Sequence, residues 1–160
     1  MIKMRAMIGD KRCFAIEYEL QPSVSHVMGS MRLWLQGIFI GAIEDVNILS
    51  AILFQLKTLS SEWRENCAFI GKAADFIYDL VYSEDAPDNI NYCFTPGEAF
   101  DDFSIVVFSH NGYFYFIWRL NDNPYFKYLD YPKDTQSAKV LISDYRKIVV
   151  AFEKAIQEAQ

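Results

Sequence analysis

Residues 104–120, SIVVFSHNGYFYFIWRL, limit the fold more than any other stretch of this chain. Asn111-Gly112 suits a two-residue type I′ turn, whose central residues both need positive φ. A hairpin centred there sets Ser109 against Phe114, Val107 against Phe116 and Ile105 against Trp118 on one face. On the other face Phe108 meets Tyr115 and Val106 meets Ile117. Cross-strand partners share a face, so both faces are apolar. Such a hairpin cannot keep one side wet, and a mid-sheet position under helices or a second layer is expected. It carries no chemistry of its own.

The N-terminal part reads as an antiparallel meander. Phe14, Ile16, Tyr18 and Leu20 alternate with Ala15, Glu17 and Glu19, the pattern of a half-buried strand. Residues 21–29 contain Pro22, two serines and Gly29 and read as a loop. Residues 30–36 form a second strand, with Arg32 and Trp34 opposite Met31, Leu33 and Leu35, and Gln36-Gly37 turns into a third over 38–42. The period then changes. Asp45 or Asn47 can cap a helix whose stripe is Ile48, Ile52, Leu56, Leu59 and Trp63, widened by Leu49 and Leu53. A second helix is expected from about Gly71 to Tyr82. Residues 83–103 are irregular, with turn signals at SEDAPDN and TPGEAFDD and a short strand at Tyr92-Cys93-Phe94. Residues 137–142 suggest a late strand. Ser143 then caps a last helix with the stripe Tyr145, Ile148, Val149, Phe152 and Ile156. The fold class is α+β: a single domain over residues 1–160, with a largely antiparallel sheet and about three helices.

Charge is distributed unevenly. The net charge is −6, yet residues 1–72 and 119–160 each carry a net +1. Residues 73–118 hold no Lys or Arg and eight acids, namely Asp75, Asp79, Glu84, Asp85, Asp88, Glu98, Asp101 and Asp102. Six of these fall in the irregular stretch 83–103, and long loops inside a compact domain are often functional. Such a segment repels nucleic acid and anionic lipid and attracts a basic protein surface. Acids on loops also simply keep a small domain soluble.

No catalytic, cofactor or metal motif is evident. Glu17 and Glu19 share a strand face, and a carboxylate pair can do acid–base work, although the solvent side of a strand is the commoner meaning. His26 and His110 have no ligands spaced around them, and GxSxG, GxGxxG and P-loop motifs are absent. The rings of residues 113–118 lack the basic groove of a single-strand stacking platform and read as core. Tyr125, Phe126, Tyr128 and Tyr131 either cover the sheet or form a contact surface. Cys13, Cys67 and Cys93 are odd in number and far apart, as expected for reduced thiols. No membrane span and no signal peptide are expected.

Met7-Ile8-Gly9-Asp10 followed by FAIEYEL at 14–20 resembles a bacterial family, the immunity proteins catalogued as immunity protein 42. Leu33-Trp34-Leu35-Gln36-Gly37 with Ile40-Gly41, and Ile52-Leu53-Phe54-Gln55-Leu56, carry the same resemblance, as do QSAKV at 136–140 and the helix after it. The likeness is best over residues 1–60. The loop at 21–29 departs from it, lacking a Gly-rich acidic character, and Met7 offers an alternative start to Met1. The resemblance implies a cytosolic, non-enzymatic antidote encoded beside a polymorphic or contact-dependent inhibition toxin. Such a protein binds the toxin's C-terminal domain, often a nuclease, and needs no cofactor, nucleic acid or membrane. Because nucleases present basic surfaces, charge singles out Glu84, Asp85, Asp88, Glu98, Asp101 and Asp102 as interface candidates, with Tyr92 as aromatic anchor. An interaction module with an unrelated partner, and a hydrolase using Glu17 and Glu19, are the other readings.

Overall fold

The computed structural model describes residues 5–21, 25–62 and 64–160. Strands β1 (Arg5–Asp10), β2 (Phe14–Gln21), β3 (Met28–Leu35) and β4 (Ile38–Ile40) form an antiparallel meander in chain order. A short β5 (Asn47–Ile48) pairs with the start of β3 and leads directly into α1 (Leu49–Ser61). After α2 (Ala74–Val81) come β6 (Phe103–His110), β7 (Tyr113–Leu120) and β8 (Gln136–Leu141), a second antiparallel sheet in that order. Helix α3 (Ile142–Glu158) closes the fold. The class is α+β, with two antiparallel sheets where one was expected.

The central hairpin has the register its turn dictates. Val107 pairs with Phe116, Ile105 with Trp118 and Phe108 with Tyr115. Asn111 and Gly112 sit at φ +48° and +79°, the left-handed values a type I′ turn needs. Gln36 and Gly37, at +48° and +92°, make the same turn between β3 and β4.

The hairpin is covered on both sides but is not in mid-sheet. Its inner face (Ile105, Val107, Phe114, Phe116, Trp118) joins β2, β3, α1 and α3 in the main core. The outer face (Val106, Phe108, Ile117) packs under Phe69, Ile77 and Val81 around α2. Two-sided burial therefore comes from layers above and below, and β6 is left as one of the two edge strands of its sheet. Its edge is closed locally by an antiparallel bridge from Cys93 to Val106 and a parallel one from Glu65 to Ser109. Tyr145 of α3 joins the two sheets: its ring lies 5.0 Å from Phe14 and 5.1 Å from Phe114, and its hydroxyl donates to the Leu56 carbonyl at 2.8 Å.

Several boundaries differ from the expectations. Strand β1 was not anticipated: it is an edge strand with Met7 exposed. Neither Asp45 nor Asn47 caps α1; Asn47 is in β5, and the Leu49 amide donates to the Val27 carbonyl instead. Ser143 does not cap α3, because β8 runs straight into the helix and the Ile142 amide is taken by the Gly112 carbonyl. Trp63 and residues 22–24 of the 21–29 loop lie outside the described residues.

Candidate functional site

The acidic third of the chain divides in two. Asp75 and Asp79 on α2 turn toward β7, where Arg119 Nη2 lies 3.2 Å from Asp75 Oδ1 and 3.3 Å from Asp79 Oδ1. The Arg119 guanidinium also stacks 4.0 Å from the Tyr78 ring centroid. Hydrogen bonds from the Thr135 hydroxyl and then from Arg119 hold the Asp75 carboxyl below the usual carboxylate range. These two acids fasten α2 to the second sheet.

Glu84, Asp85, Asp88, Glu98 and Asp101 are different. All five are exposed, and among the described residues none enters an ion pair. The backbone beneath them is well anchored. Asp88 lies in a 3₁₀ segment (Pro87–Tyr92), and the chain then bridges to β6, with the Phe94 amide donating to the Ile105 carbonyl at 2.9 Å. Arg64 Nη1 donates to the Cys93 carbonyl at 3.2 Å. Glu98 opens another 3₁₀ turn (Glu98–Phe100), fixed to the chain just after β4 by the Ala42 amide on the Ala99 carbonyl at 2.7 Å. The result is a set of five solvent-facing carboxylates on the connection between α2 and β6, part of it tied to β6 and part to the chain just after β4. They supply no nucleophile; they supply a negative field aimed at solvent.

Tyr92 and Asp102 are held inward. The Tyr92 ring is half-buried, 5.2 Å from Phe69, and its hydroxyl accepts from Asn66 Nδ2 at 3.1 Å. The exposed apolar side chain beside Asp88 is instead Ile90, at 67 % exposure. Asp102 is only 9 % exposed. Its carboxylate accepts from the Tyr125 amide at 2.7 Å, the Phe126 amide at 3.1 Å and the Tyr128 hydroxyl at 2.8 Å. Burial, and then the hydrogen bond to Asp102 and that carboxylate's charge, raise the Tyr128 phenol pKa, so it stays a donor. Asp102 is therefore a loop anchor.

Glu17 is not on the solvent side of its strand. It is 2 % exposed, on a face shared with Trp34 and Arg32 of β3. Trp34 Nε1 donates to it at 2.8 Å, Arg32 Nη2 at 3.2 Å, and Arg5 Nη1 lies at 3.4 Å. Burial alone would raise its pKa; the Trp34 hydrogen bond and the Arg32 and Arg5 charges outweigh that and hold it below its ordinary 4.5. A carboxylate kept ionised and closed off in this way has no proton to give as a general acid. Glu19 pairs with Arg5 at 2.8 Å. Among the described residues no three His, Cys, Asp or Glu side chains converge as metal ligands, Cys13, Cys67 and Cys93 are unbridged, and no helix is long and apolar enough to cross a membrane.

The sequence profile of the family described as immunity protein 42 matches residues 1–155. The chain belongs to the immunity protein 42 family. The fold also superposes on the crystal structure of CdiI from Burkholderia dolosa AUO158, with a TM-score of 0.62 over 94 % of this chain and 99 % of that one. Sequence identity is 11 %, so this likeness is one of fold. A comparison with curated protein sequences gives no match.

The motifs that carried the resemblance to immunity protein 42 are frame elements. Met7-Ile8-Gly9-Asp10 is β1, Gln36-Gly37 is the β3–β4 turn, and the Gln36 side chain accepts from the Lys139 amide of β8 at 2.9 Å, linking the sheets. The five solvent-facing acids lie outside those motifs.

Proposed function

We propose that this member of the immunity protein 42 family is a cytoplasmic, non-enzymatic antidote. It binds the C-terminal domain of a cognate contact-dependent inhibition or polymorphic toxin and blocks it. The toxin surface it covers is basic, as expected of a nuclease. The observation that carries this reading is the set Glu84, Asp85, Asp88, Glu98 and Asp101, exposed and, among the described residues, outside every ion pair, on an anchored backbone. Like charges gathered on one stretch without counter-ions disfavour the free chain slightly and favour a complex with a cationic face. Family membership supports the immunity role, and the fold shared with CdiI from Burkholderia dolosa is consistent with it. The geometry of Glu17, ionised and closed, argues against the hydrolase reading.

The test is a titration of this protein against the toxin domain encoded immediately upstream, at low and high salt. Nanomolar binding that weakens as salt rises supports the antidote and its acidic face together. Tight binding indifferent to salt keeps the antidote and moves the interface elsewhere. Absence of binding overturns the proposal.

A further inference from the structure

The two most exposed large apolar side chains among the described residues are Leu129, at 93 %, and Tyr125, at 87 %. Both project from the connection between β7 and β8, and that connection is internally fixed. At its base Asn121 donates its amide to the Asp102 carbonyl at 2.8 Å and its Nδ2 to the Asp101 carbonyl at 3.1 Å. The buried Asp102 carboxylate then takes the Tyr125 and Phe126 amides and the Tyr128 hydroxyl. Further on, the Tyr131 hydroxyl donates to the Phe39 carbonyl of β4. Burying a carboxylate is unfavourable unless donors converge on it. Here three converge, and all three belong to this one loop. Of its four rings, Tyr128 and Tyr131 pack inward against Phe39 and Phe103, while Tyr125 is held out with the Phe126 ring edge-on to it at 5.0 Å. Beyond that one ring contact, the free chain gains little from holding Tyr125 and Leu129 in water. A binding partner gains more, because a preordered loop loses little conformational freedom on docking.

The surroundings select the partner. Glu98 and Asp101 adjoin the base of the loop, and Asp122 and Asp130 lie on it; all four are exposed, against Lys127 and Lys133. We infer that Tyr125 and Leu129 form the apolar anchor of the toxin interface. They seat in a pocket rimmed by Lys or Arg on the toxin domain, with Glu98 and Asp101 engaging that rim. The inference rests on the toxin-binding reading above and adds its energetic centre. Aromatic anchors set residence time, whereas the carboxylates set the rate of encounter.

Association and dissociation rates should be measured for the native chain and for the Tyr125→Ser, Leu129→Ser double variant against the upstream-encoded toxin domain. Both positions are at the surface, and near-ultraviolet circular dichroism checks that the fold is retained. The double variant should dissociate about tenfold faster or more, with its association rate within about twofold of native. Native dissociation in a folded double variant overturns the anchor and leaves the antidote reading standing. A native chain that does not bind the domain overturns both.

Discussion

The Trp118 indole N–H donates to the Tyr131 hydroxyl at 2.8 Å, and that hydroxyl donates onward to the Phe39 carbonyl at 2.5 Å. Trp118 is on β7 and Phe39 on β4, so one phenol joins the two sheets and fixes the end of the loop that presents Leu129. Burial of the Tyr131 ring raises its phenol pKa, which keeps the proton on the donor.

Tyr131→Phe removes the relay without removing the ring. The buried Trp118 N–H then loses its acceptor, at a cost of about 1–3 kcal/mol. Urea unfolding should show that loss with an unchanged m value. Hydrogen exchange over residues 124–131 should accelerate as well, which a purely local packing defect would not produce.

Glu17 gives the fold a pH dependence of definite sign. Its folded pKa lies below the ordinary 4.5, so the unfolded chain binds the extra proton first. The stability it contributes is present above that ordinary value and is lost as pH falls through the lower folded one. Glu17→Gln should destabilise the protein by about 1.5–3 kcal/mol at neutral pH, since a charge-assisted site loses its charge beside Arg32. The gap between the two proteins should close as pH drops below about 4. A gap constant with pH would show that the carboxylate charge is not what holds the site.

Gly112 is at φ +79°, where a Cβ is strained even though open space surrounds the position. Gly112→Ala should therefore cost about 1–2 kcal/mol through backbone strain alone. The Ile142 amide depends on the Gly112 carbonyl, so the loss should extend to the first turn of α3. A thermal melt together with exchange at residues 142–146 would register both.

These residues also mark how far the sequence could be read. Asn111-Gly112 pins a register because a turn chemistry and two apolar faces agree, and every cross-strand pair expected of it is formed. Strand β1 escaped because it buries little: an edge strand with one neighbour needs few apolar residues. Glu17 was misplaced by alternation, which sets Ala15, Glu17 and Glu19 opposite the core. The signal available was Trp34 with Arg32 on the same pattern in the next strand, since a large ring and a guanidinium can close over a carboxylate. Nothing in the sequence distinguishes Asp102 from its neighbour Asp101. The difference arises from backbone amides more than 20 residues away, and such a contact has no local pattern.

That difference sharpens the charge-reversal experiment on the acidic face. Asp102→Lys would bury a cation against two amide donors, and a weaker complex would then report a damaged loop. Asp101 is exposed one residue away and can be reversed without that damage. Asp101→Lys with Glu98→Lys should slow association with the toxin domain by about tenfold at low salt, and the effect should fade as salt is raised. Unfolding free energy should stay within about 0.5 kcal/mol of native, because among the described residues neither carboxylate enters an ion pair. The same reversal at Glu84, Asp85 and Asp88 gives the comparison. If the Tyr125–Leu129 loop is the centre of the interface, the pair at its base should slow association more than the triple change at the end of α2. A larger effect from Glu84, Asp85 and Asp88 would place the encounter surface around the exposed Ile90 instead.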